Sequence, residues 1–484
     1  MTFFVPLFRF IPLFRVGLAA FLAMVFIVLP NDIATAEEPI HVGVATAEIT
    51  PPVPYRMSGY FNERPATGVS DPLLAKAMVF QQGDTRVALV VCDIISFDDD
   101  AAAAARRQAA VETGIPEDAI LITATHTHTG PLYCGVLRDY LHQRAVDASE
   151  EGTDPCELQD YRQLLIDGVV QAIRDAAAHP RPAIVAVGTT RESNLSFNRR
   201  FHMKDSDTVV FNPGIKNPNI VRPAGPIDPL VTMILFTDPE TQTPFASFTN
   251  FALHLDTTGG TLFSGDYPFY LSNALQNFYG KDFISVFGTG TCGDINHIDV
   301  TTESQRRAPQ IGEELAKTVL AGHEQLTPIT APSLRWASRT ITVPTQTVTP
   351  QEVEESMAMR KAIVDGDGVH SFLERVRATT VLDLAEQFPN GRTELRIQAV
   401  ALDDETAIVV IPGEVFVEHG LAIREGSPFA RTAVVELSDQ NISYVPTAKA
   451  FQEGSYETVN SRLAPGGGEQ MAQAAIEVLR SLKP

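Results

Sequence analysis

Apolar runs and helical periodicities alternate along the chain from residue 86 onwards. Residues 86–93 and 119–124 are short, apolar and rich in β-branched side chains, as buried strands are, and acidic side chains open the Ala-rich segment 98–112 between them. This order predicts one βαβ unit with two parallel strands. Because ligands of α/β sheets bind at the carboxyl ends of such strands, the polar residues after 93 and after 124 are candidates for a site.

The same patterns predict most of the remaining elements. Apolar runs predict strands, and a period of 3.6 residues predicts helices. The predicted strands are 183–189, 230–236, 244–252, 283–288 and 432–437, with a hairpin of 393–402 and 406–411, and the predicted helices are 158–178, 310–321, 351–364, 372–388 and 468–482. The Pro-rich stretch 328–350 is the one plausible domain seam, or else a long connection inside one domain. We therefore predict an α/β fold of mixed and partly parallel β-sheets flanked by helices, in a single large domain.

Composition and charge narrow the class of protein. The 484 residues are 44% hydrophobic, which is enough for a large buried core. The formal net charge of -22 repels phosphate backbones, and no basic stripe interleaved with aromatic residues is present. We therefore expect no nucleic-acid partner.

The N-terminus has the pattern of a secretory signal. Arg9 and Arg15 precede an apolar run at 16–29, and the small residues 34–36 are followed by acidic ones. This order predicts a signal peptide over residues 1–36, cut after Ala36, and export of residues 37–484 to the periplasm or the medium. The alternative is an uncleaved membrane anchor, for which the apolar run is short.

Four cysteines are too few and too scattered for a disulfide scaffold or a thiolate zinc cluster. Cys92 lies in a predicted buried strand. Cys134 and Cys156 bracket an acidic stretch and are candidates for a disulfide in an oxidising compartment, although the spacing does not fix the pairing.

The stretch Thr125-His126-Thr127-His128-Thr129-Gly130-Pro131 carries the clearest chemical signal. It directly follows the strand predicted at 119–124, and in extended chain His126 and His128 point the same way. Two imidazoles facing one cleft are typical of half a metal site, whereas loop histidines bonded to backbone are the structural alternative.

Other polar residues follow apolar runs further along the chain. His254 ends the strand predicted at 244–252, and the Gly-rich turn 287–297 follows the one at 283–288. Glu414 follows the run 407–410, where a carboxylate is either a ligand or a helix-start residue. Tyr444 and Tyr456 follow the last predicted strand, and composition alone favours structural roles for both.

Taken in order, these motifs resemble the neutral/alkaline non-lysosomal ceramidase family, zinc amidases that cleave the N-acyl bond of ceramide. The likeness extends from residues 43–52 and Met57-Ser58-Gly59-Tyr60 through the His-Thr-His-Thr-Gly-Pro run to Tyr456-Glu457. It implies that residues 37–484 are the family's catalytic domain, without the Ig-like C-terminal domain of longer members. It also implies a role in sphingolipid metabolism.

The resemblance implies a site residue by residue. One Zn²⁺ per chain would be held by His126, His254, Glu414 and Tyr444. His128, Arg199 and Tyr456 would act on the substrate or the reaction intermediate, and the substrate would also contact Gly59, Asn198 and Arg200. Two imidazoles, a carboxylate and a phenol oxygen suit zinc and leave room for a water molecule, whose pKa zinc lowers to about 7. We therefore expect zinc-activated water to attack the carbonyl of an N-acyl amide.

Further sequence differences from the family, besides the missing Ig-like domain, bear on this expectation. Asn296 stands where family members carry a catalytic serine; an amide cannot be a nucleophile but can donate to an oxyanion, so we assign Asn296 a catalytic role of that kind. The stretch 68–72 lacks the family's histidine and basic residue. The added cations Arg200 and His202 beside Arg199 favour an anionic or polar head group.

The sequence is also compatible with two other functions. One is a catalytically silent module that keeps zinc and binds lipid or glycan, which the missing serine favours. The other is a metal-dependent esterase or phosphoesterase that uses the same ligands. If the protein is a zinc-dependent amide hydrolase, its partner is a small-molecule or lipid acyl amide. We expect the enzyme to reach a lipid substrate by contact with a membrane surface.

Overall fold

The computed structural model describes residues 38–204, 206–366 and 370–484 of the chain, so the predicted signal peptide at 1–36 lies outside the described residues. The strands within these ranges are β1 His41–Glu48, β2 Gly68–Val69, β3 Leu74–Gln82, β4 Thr85–Cys92, β5 Ile120–Ala124, β6 Arg181–Pro182, β7 Ile184–Arg191, β8 Phe197–Asn198, β9 Arg200–Met203, β10 Val210–Phe211, β11 Ile220–Pro223, β12 Leu230–Thr237, β13 Pro244–Phe251, β14 Leu262–Phe263, β15 Ile284–Thr289, β16 Ile295–Asn296, β17 Thr327–Pro328, β18 Arg335–Pro344, β19 Arg392–Ala401, β20 Thr406–Val410, β21 Glu414–Val415, β22 Arg431–Val435 and β23 Tyr444–Val445.

Helices cover the sheets and connect their strands. They are α1 Asp99–Thr113, α2 Val136–Ala148, α3 Tyr161–Ala178, α4 Tyr267–Tyr279, α5 Ala308–Ala321, α6 Pro350–Asp365, α7 Phe372–Gln387, α8 Val417–Gly426, α9 Ala448–Glu453, α10 Tyr456–Val459 and α11 Gly467–Ser481. None of the helices within the described ranges combines the length and apolar character needed to cross a bilayer.

Three larger sheets form the framework, and each contains one parallel pair of strands. Their orders are β5-β4-β3-β1-β6, β15-β13-β12-β7-β17 and β18-β19-β20-β22. The parallel pairs are β4 with β5, β13 with β15, and β20 with β22, and the other pairings in these sheets are antiparallel. The predicted mixed, partly parallel α/β fold is therefore confirmed.

Local sequence signals explain most element ends. The side chain of Asp98 accepts a hydrogen bond from the Ala101 backbone N–H and so caps α1, which ends where Gly114 adopts a left-handed conformation. In the hairpin of β19 and β20, Asp403 Oδ1 accepts hydrogen bonds from the next backbone N–H groups, those of Glu405 at 2.9 Å and Thr406 at 2.6 Å. The βαβ unit and this hairpin lie where the sequence predicts them.

Three features of the structure were left open or were absent in the sequence predictions. The Pro-rich stretch at 328–350 is no seam: β18 runs through it and pairs antiparallel with β19 along its whole length, so backbone hydrogen bonds tie it into the third sheet. Five of the helices given above had no counterpart among the predicted elements: α2, α4, α8, α9 and α10. Cys134 and Cys156 are not bridged in the structure.

The three sheets meet at the carboxyl ends of their parallel strands. The backbone N–H of Ala124, at the end of β5, donates to the Leu437 carbonyl beyond β22 at 3.2 Å. The Thr289 hydroxyl, at the end of β15, donates to the Thr125 carbonyl at 2.9 Å, and the Glu436 N–H donates to the Thr289 carbonyl at 2.9 Å. These bonds gather residues from distant parts of the chain around one point.

Candidate metal centre

Polar residues from each of the three parallel pairs surround this point. His126 lies just beyond β5, His254 just beyond β13, and Glu414 shortly after β20. Tyr444 joins them because Glu414 and Tyr444 are direct partners in the parallel pairing of β21 with β23. All four residues of the ligand set that the resemblance implied are buried.

The backbone at His126 departs from the extended strand expected from the sequence. His126 has a φ of 75°, and its N–H donates to the Ile94 carbonyl at 3.0 Å, outside the β4–β5 ladder. This turn, rather than strand alternation, brings His126 and His128 together, with ring centroids 5.0 Å apart.

Backbone carbonyls fix the tautomers of two imidazoles. His126 Nδ1 lies 2.8 Å from the Ile95 carbonyl, and His254 Nδ1 lies 3.4 Å from the Cys292 carbonyl. Because a carbonyl only accepts, each Nδ1 carries a hydrogen, and a ring that carries only this hydrogen has a bare lone pair on Nε2. The two Nε2 atoms are nevertheless only 3.1 Å apart. Two bare lone pairs at this distance repel each other unless a proton or a metal cation lies between them.

The carboxylate of Glu414 faces the same point. Its Oε2 atom lies 3.2 Å from His126 Nε2 and 3.9 Å from His254 Nε2, and it accepts no hydrogen bond from any residue in the described ranges. Burial alone raises the pKa of this carboxyl, but His126, Tyr444 and Arg199 together bring it below its ordinary value. Glu414 therefore stays ionised although buried.

These donors fit a divalent zinc ion. Two imidazole nitrogens with bare lone pairs and a carboxylate oxygen without a partner converge within about 4 Å, and imidazole and carboxylate are common zinc ligands. The phenol of Tyr444 stands beside them as the fourth predicted ligand. Burial raises its pKa well above the ordinary value, and the neighbouring Glu414 charge adds to this.

His128 differs from the two other imidazoles. Its Nε2 lies 3.1 Å from His254 Nε2, but within the described part of the chain its Nδ1 has no hydrogen-bond partner. The nearest acid is Asp256, whose Oδ1 is 3.8 Å from Nδ1 and accepts a hydrogen bond from Tyr60 at 2.6 Å. Burial lowers the pKa of His128 to about 4, so the ring is neutral at pH 7 and either nitrogen can carry its hydrogen.

Gly59 lines the cleft against His128, as the resemblance implied. Its φ is +97°, and a Cβ atom placed on it would lie 2.7 Å from the Cβ, Cγ and Nδ1 atoms of His128. Both the backbone conformation and the close approach therefore require glycine here.

Gly59→Ala is expected to lower the free energy of unfolding by about 2–4 kcal/mol, from backbone strain and from overpacking against His128. Gly260→Ala is the matched control, because Gly260 has a φ of +94° and open space around its Cβ position. Urea unfolding should show the control losing only about 1–2 kcal/mol. Equal losses would mean that the contact with His128 contributes nothing.

Arg199 and Tyr456 both stand beside the ligand set. The Arg199 guanidinium lies 5.2 Å from the Tyr444 ring centre and 5.8 Å from that of Tyr456, and its Nε donates to Glu457 at 3.0 Å. Burial by itself lowers the pKa of Arg199, but Tyr444 and Glu457 raise it well above its ordinary value, so the charge persists. The Tyr456 ring packs edge-on against Tyr444 at 5.2 Å.

The structure turns Arg200 away from the cleft, contrary to the expectation that it binds substrate. It is 1% exposed, and its Nη1 donates to Glu457 at 2.8 Å. Glu457 is thus shared by both arginines, so that both guanidinium groups bind this buried carboxylate instead of forming a pair of cations that faces a head group.

Asn198 and Asn296 are likewise not among the residues that line the cleft. Asn198 Nδ2 donates to Asp294 Oδ2 at 2.7 Å. Asn296 Nδ2 donates to Asn212 Oδ1 at 2.9 Å, and its Oδ1 accepts the Ile298 N–H at 3.0 Å. Both amides hold loops together, because the pairing of β8 with β16 directs them there.

Sequence reasoning missed several residues that support the site. Glu457 was quoted only as part of a motif, and Glu436, which binds the backbone next to Glu414, was not singled out. Asn460 donates to the Tyr456 hydroxyl oxygen at 3.3 Å. Of these residues, only Glu436 could have been identified from the sequence, because it is a charged residue directly after the buried strand β22.

A cleft adjoins the centre, and a larger cavity adjoins that cleft. The cleft has a volume of about 150 Å³ and is lined by residues that include Gly59, His126, His128, Glu414 and Tyr456. A larger cavity of about 780 Å³ shares four lining residues with it and is surrounded by charged side chains; the shared residues are Tyr133, Cys134, Gln440 and Asn441. A substrate in the cleft can therefore extend into a polar space.

Comparisons with known proteins place this geometry in context. Residues 40–296 match the family model described as neutral/alkaline non-lysosomal ceramidase, N-terminal. A curated neutral ceramidase of Mycobacterium tuberculosis is 27% identical over 260 residues, which cover 50% of this chain and 37% of that protein. The match thus spans little more than a third of the length of that relative.

Solved structures share the fold. Neutral ceramidase from Pseudomonas aeruginosa aligns with a TM-score of 0.68 and 18% identity over 93% of this chain and 75% of that one. A ceramidase complexed with C2 aligns with a TM-score of 0.67 and 16% identity over 93% and 76%. Both alignments cover far more of the chain than the family match, which ends at residue 296, before Glu414 and Tyr444.

Proposed function

Because this chain belongs to the neutral/alkaline non-lysosomal ceramidase family, we propose that it is an exported, zinc-dependent hydrolase of an N-acyl amide bond. The proposed zinc dependence rests on one observation. The carbonyl-fixed tautomers of His126 and His254 aim two bare Nε2 lone pairs at each other across 3.1 Å, beside the partnerless Glu414 Oε2. A single cation satisfies all three donors.

In this proposal His126, His254, Glu414 and Tyr444 hold one zinc ion per chain. When bound, zinc would polarise the scissile carbonyl and lower the pKa of a water molecule. His128 stays outside the ligand set because no described residue fixes its tautomer, which leaves Nε2 able to take up a proton and release it again. Its neutral ring suits transfer of the water proton to the leaving nitrogen, so that amide and water yield a carboxylic acid and an amine.

Tyr456 is poised as a hydrogen-bond donor. Arg462 Nη1 donates to Asn460 Oδ1 at 2.8 Å, which orients the Asn460 amide so that Nδ2 donates to the Tyr456 oxygen. The Tyr456 hydroxyl also forms a side-chain hydrogen bond with Tyr444, and when Tyr444 is the donor the Tyr456 hydrogen is left for another acceptor. We assign that acceptor to the oxyanion that develops from the carbonyl, with the Arg199 charge behind it as electrostatic support.

We propose an acyl amide of the ceramide class as the substrate, reached at a membrane surface after export. The family assignment supports this class, and the N-terminal pattern of residues 1–36 supports export. The charged cavity next to the cleft suits the polar part of such an amphiphile rather than its chains.

The test compares three substrate classes on one preparation. Zinc-loaded protein is assayed on N-acyl amides in micelles, on carboxylic esters and on phosphoesters, with chelator-treated protein as the control. We expect amide turnover that chelation abolishes and added zinc restores. Turnover of phosphoesters alone would favour the phosphoesterase alternative, and bound zinc without any turnover would favour the silent binding module.

A further inference from the structure

Glu436 occupies a junction of the three sheets behind the metal centre. It directly follows β22 and is 0% exposed. Its backbone N–H donates to the Thr289 carbonyl at the end of β15, and its carbonyl accepts the Thr123 hydroxyl of β5 at 2.6 Å. The backbone of this one residue therefore touches strands of two other sheets.

The carboxyl of Glu436 binds two further loops. Oε2 accepts the Val415 backbone N–H at 2.6 Å and the Cys292 backbone N–H at 3.2 Å, and Oε1 accepts the Cys292 thiol at 3.0 Å. Both carboxyl oxygens are thus hydrogen-bonded within the protein, and neither faces the cleft. Glu436 has no part in the chemistry proposed above.

Each of these two loops determines the position of one predicted zinc ligand. The Cys292 carbonyl is the acceptor for His254 Nδ1–H, so the position of Cys292 determines the orientation of the His254 ring. Val415 follows Glu414 directly, and its carbonyl accepts the Gly293 N–H at 2.9 Å, which closes the link between the loops. A shift of either backbone segment moves a donor atom.

We propose that Glu436 is a positioning residue for the metal: its carboxyl clamps the Cys292 and Val415 backbones and so sets the distance between the donor atoms of His254 and Glu414. This inference rests on the proposed zinc site and adds a residue beyond it. Groups that hold metal ligands in place are known to set metal affinity, by about 10–100-fold when they are removed.

Three variants test the clamp. Glu436→Ala removes both acceptors, Glu436→Asp keeps the carboxyl but withdraws it by one methylene, and Glu436→Gln keeps the reach and one acceptor oxygen. Asp403→Ala is the matched control, because Asp403 is a buried carboxylate that also accepts two backbone N–H groups but lies in the β19–β20 turn. Zinc affinity is measured by competition with a chromophoric chelator, and stability by urea unfolding of the zinc-free protein.

We expect Glu436→Ala and Glu436→Asp to lose about 10–100-fold in zinc affinity, and Glu436→Gln to stay within about threefold of the wild type. Asp403→Ala should unfold at lower urea yet bind zinc as the wild type does. If Glu436→Ala does not fold, Glu436→Asp carries the test alone. Wild-type affinity in Glu436→Asp would overturn the clamp, whereas a wild-type protein that binds no zinc would instead overturn the proposed function.

Discussion

His126→Ala and His254→Ala are each expected to abolish zinc binding and amide hydrolysis. Each substitution removes one of the two Nε2 donors that lie 3.1 Å apart and leaves a site with too few ligands for the ion. Zinc should fall from one per chain to a trace by elemental analysis. The rate constant should fall by about 10³-fold or more, which corresponds to about 4 kcal/mol in the activation barrier.

A matched histidine substitution controls for general effects. His142, Asp154 and Glu157 form the other group of potential metal ligands in the described residues, but Arg56 pairs with both of its carboxylates, at 2.5 Å and 3.2 Å. His142→Ala should therefore leave zinc content and activity unchanged. Zinc retained by both His126→Ala and His254→Ala would disprove the metal centre.

The zinc-free protein gives an independent readout of the same geometry. Without an ion the two lone pairs repel each other, so His126→Ala should destabilise the zinc-free protein by far less than an ordinary buried substitution. Zinc at about 1,000 times its Kd should stabilise the wild type by about 4 kcal/mol and both variants hardly at all. Thermal unfolding with and without zinc measures this difference.

Glu457→Ala is expected to give the largest loss of stability among these substitutions. Glu457 is fully buried and pairs with Arg199 Nε at 3.0 Å and with Arg200 Nη1 at 2.8 Å. Its removal leaves two buried guanidinium groups without their shared carboxylate. Breaking a buried ion pair from one side costs about 3–5 kcal/mol, which urea unfolding resolves readily.

An exposed ion pair supplies the control for Glu457. Glu477 pairs with Arg339 at the surface, where both side chains are more than 40% exposed and solvent screens the pair, so Glu477→Ala should leave the free energy of unfolding nearly unchanged. Activity adds a second measure, since Glu457 also holds Arg199 beside the Tyr444 and Tyr456 rings. A loss in Glu457→Ala no larger than in Glu477→Ala would show that the two arginines find other partners.

Local elements were largely readable from the sequence. The βαβ unit of β4, α1 and β5 and the hairpin of β19 and β20 lie within a residue or two of their predicted bounds. Such elements follow from hydrophobic period, caps and turn residues, which are properties of neighbouring positions. The β18 strand was missed because prolines at both ends of its stretch suggested a connection, whereas pairing with β19 stabilises it.

The resemblance to a known family implied the ligand set, although composition alone favoured a structural role for Tyr444. The contacts of Arg200, Asn198 and Asn296 could not be predicted from the sequence. Each lies next to a residue or motif of interest in the sequence, yet its side chain binds a partner far away along the chain: Glu457, Asp294 and Asn212, respectively.

The sequence by itself determined which residue types follow which strands, and hence that imidazoles and a carboxylate end up at strand ends. Only the tertiary structure decided that three sheets join there, that backbone carbonyls fix the tautomers of His126 and His254, and that Glu436 and Glu457 support the site from behind. The physical reason is distance along the chain. Periodicity encodes the face on which a side chain lies, but hydrogen bonds between residues 21 to 258 positions apart exist only once the strands have packed.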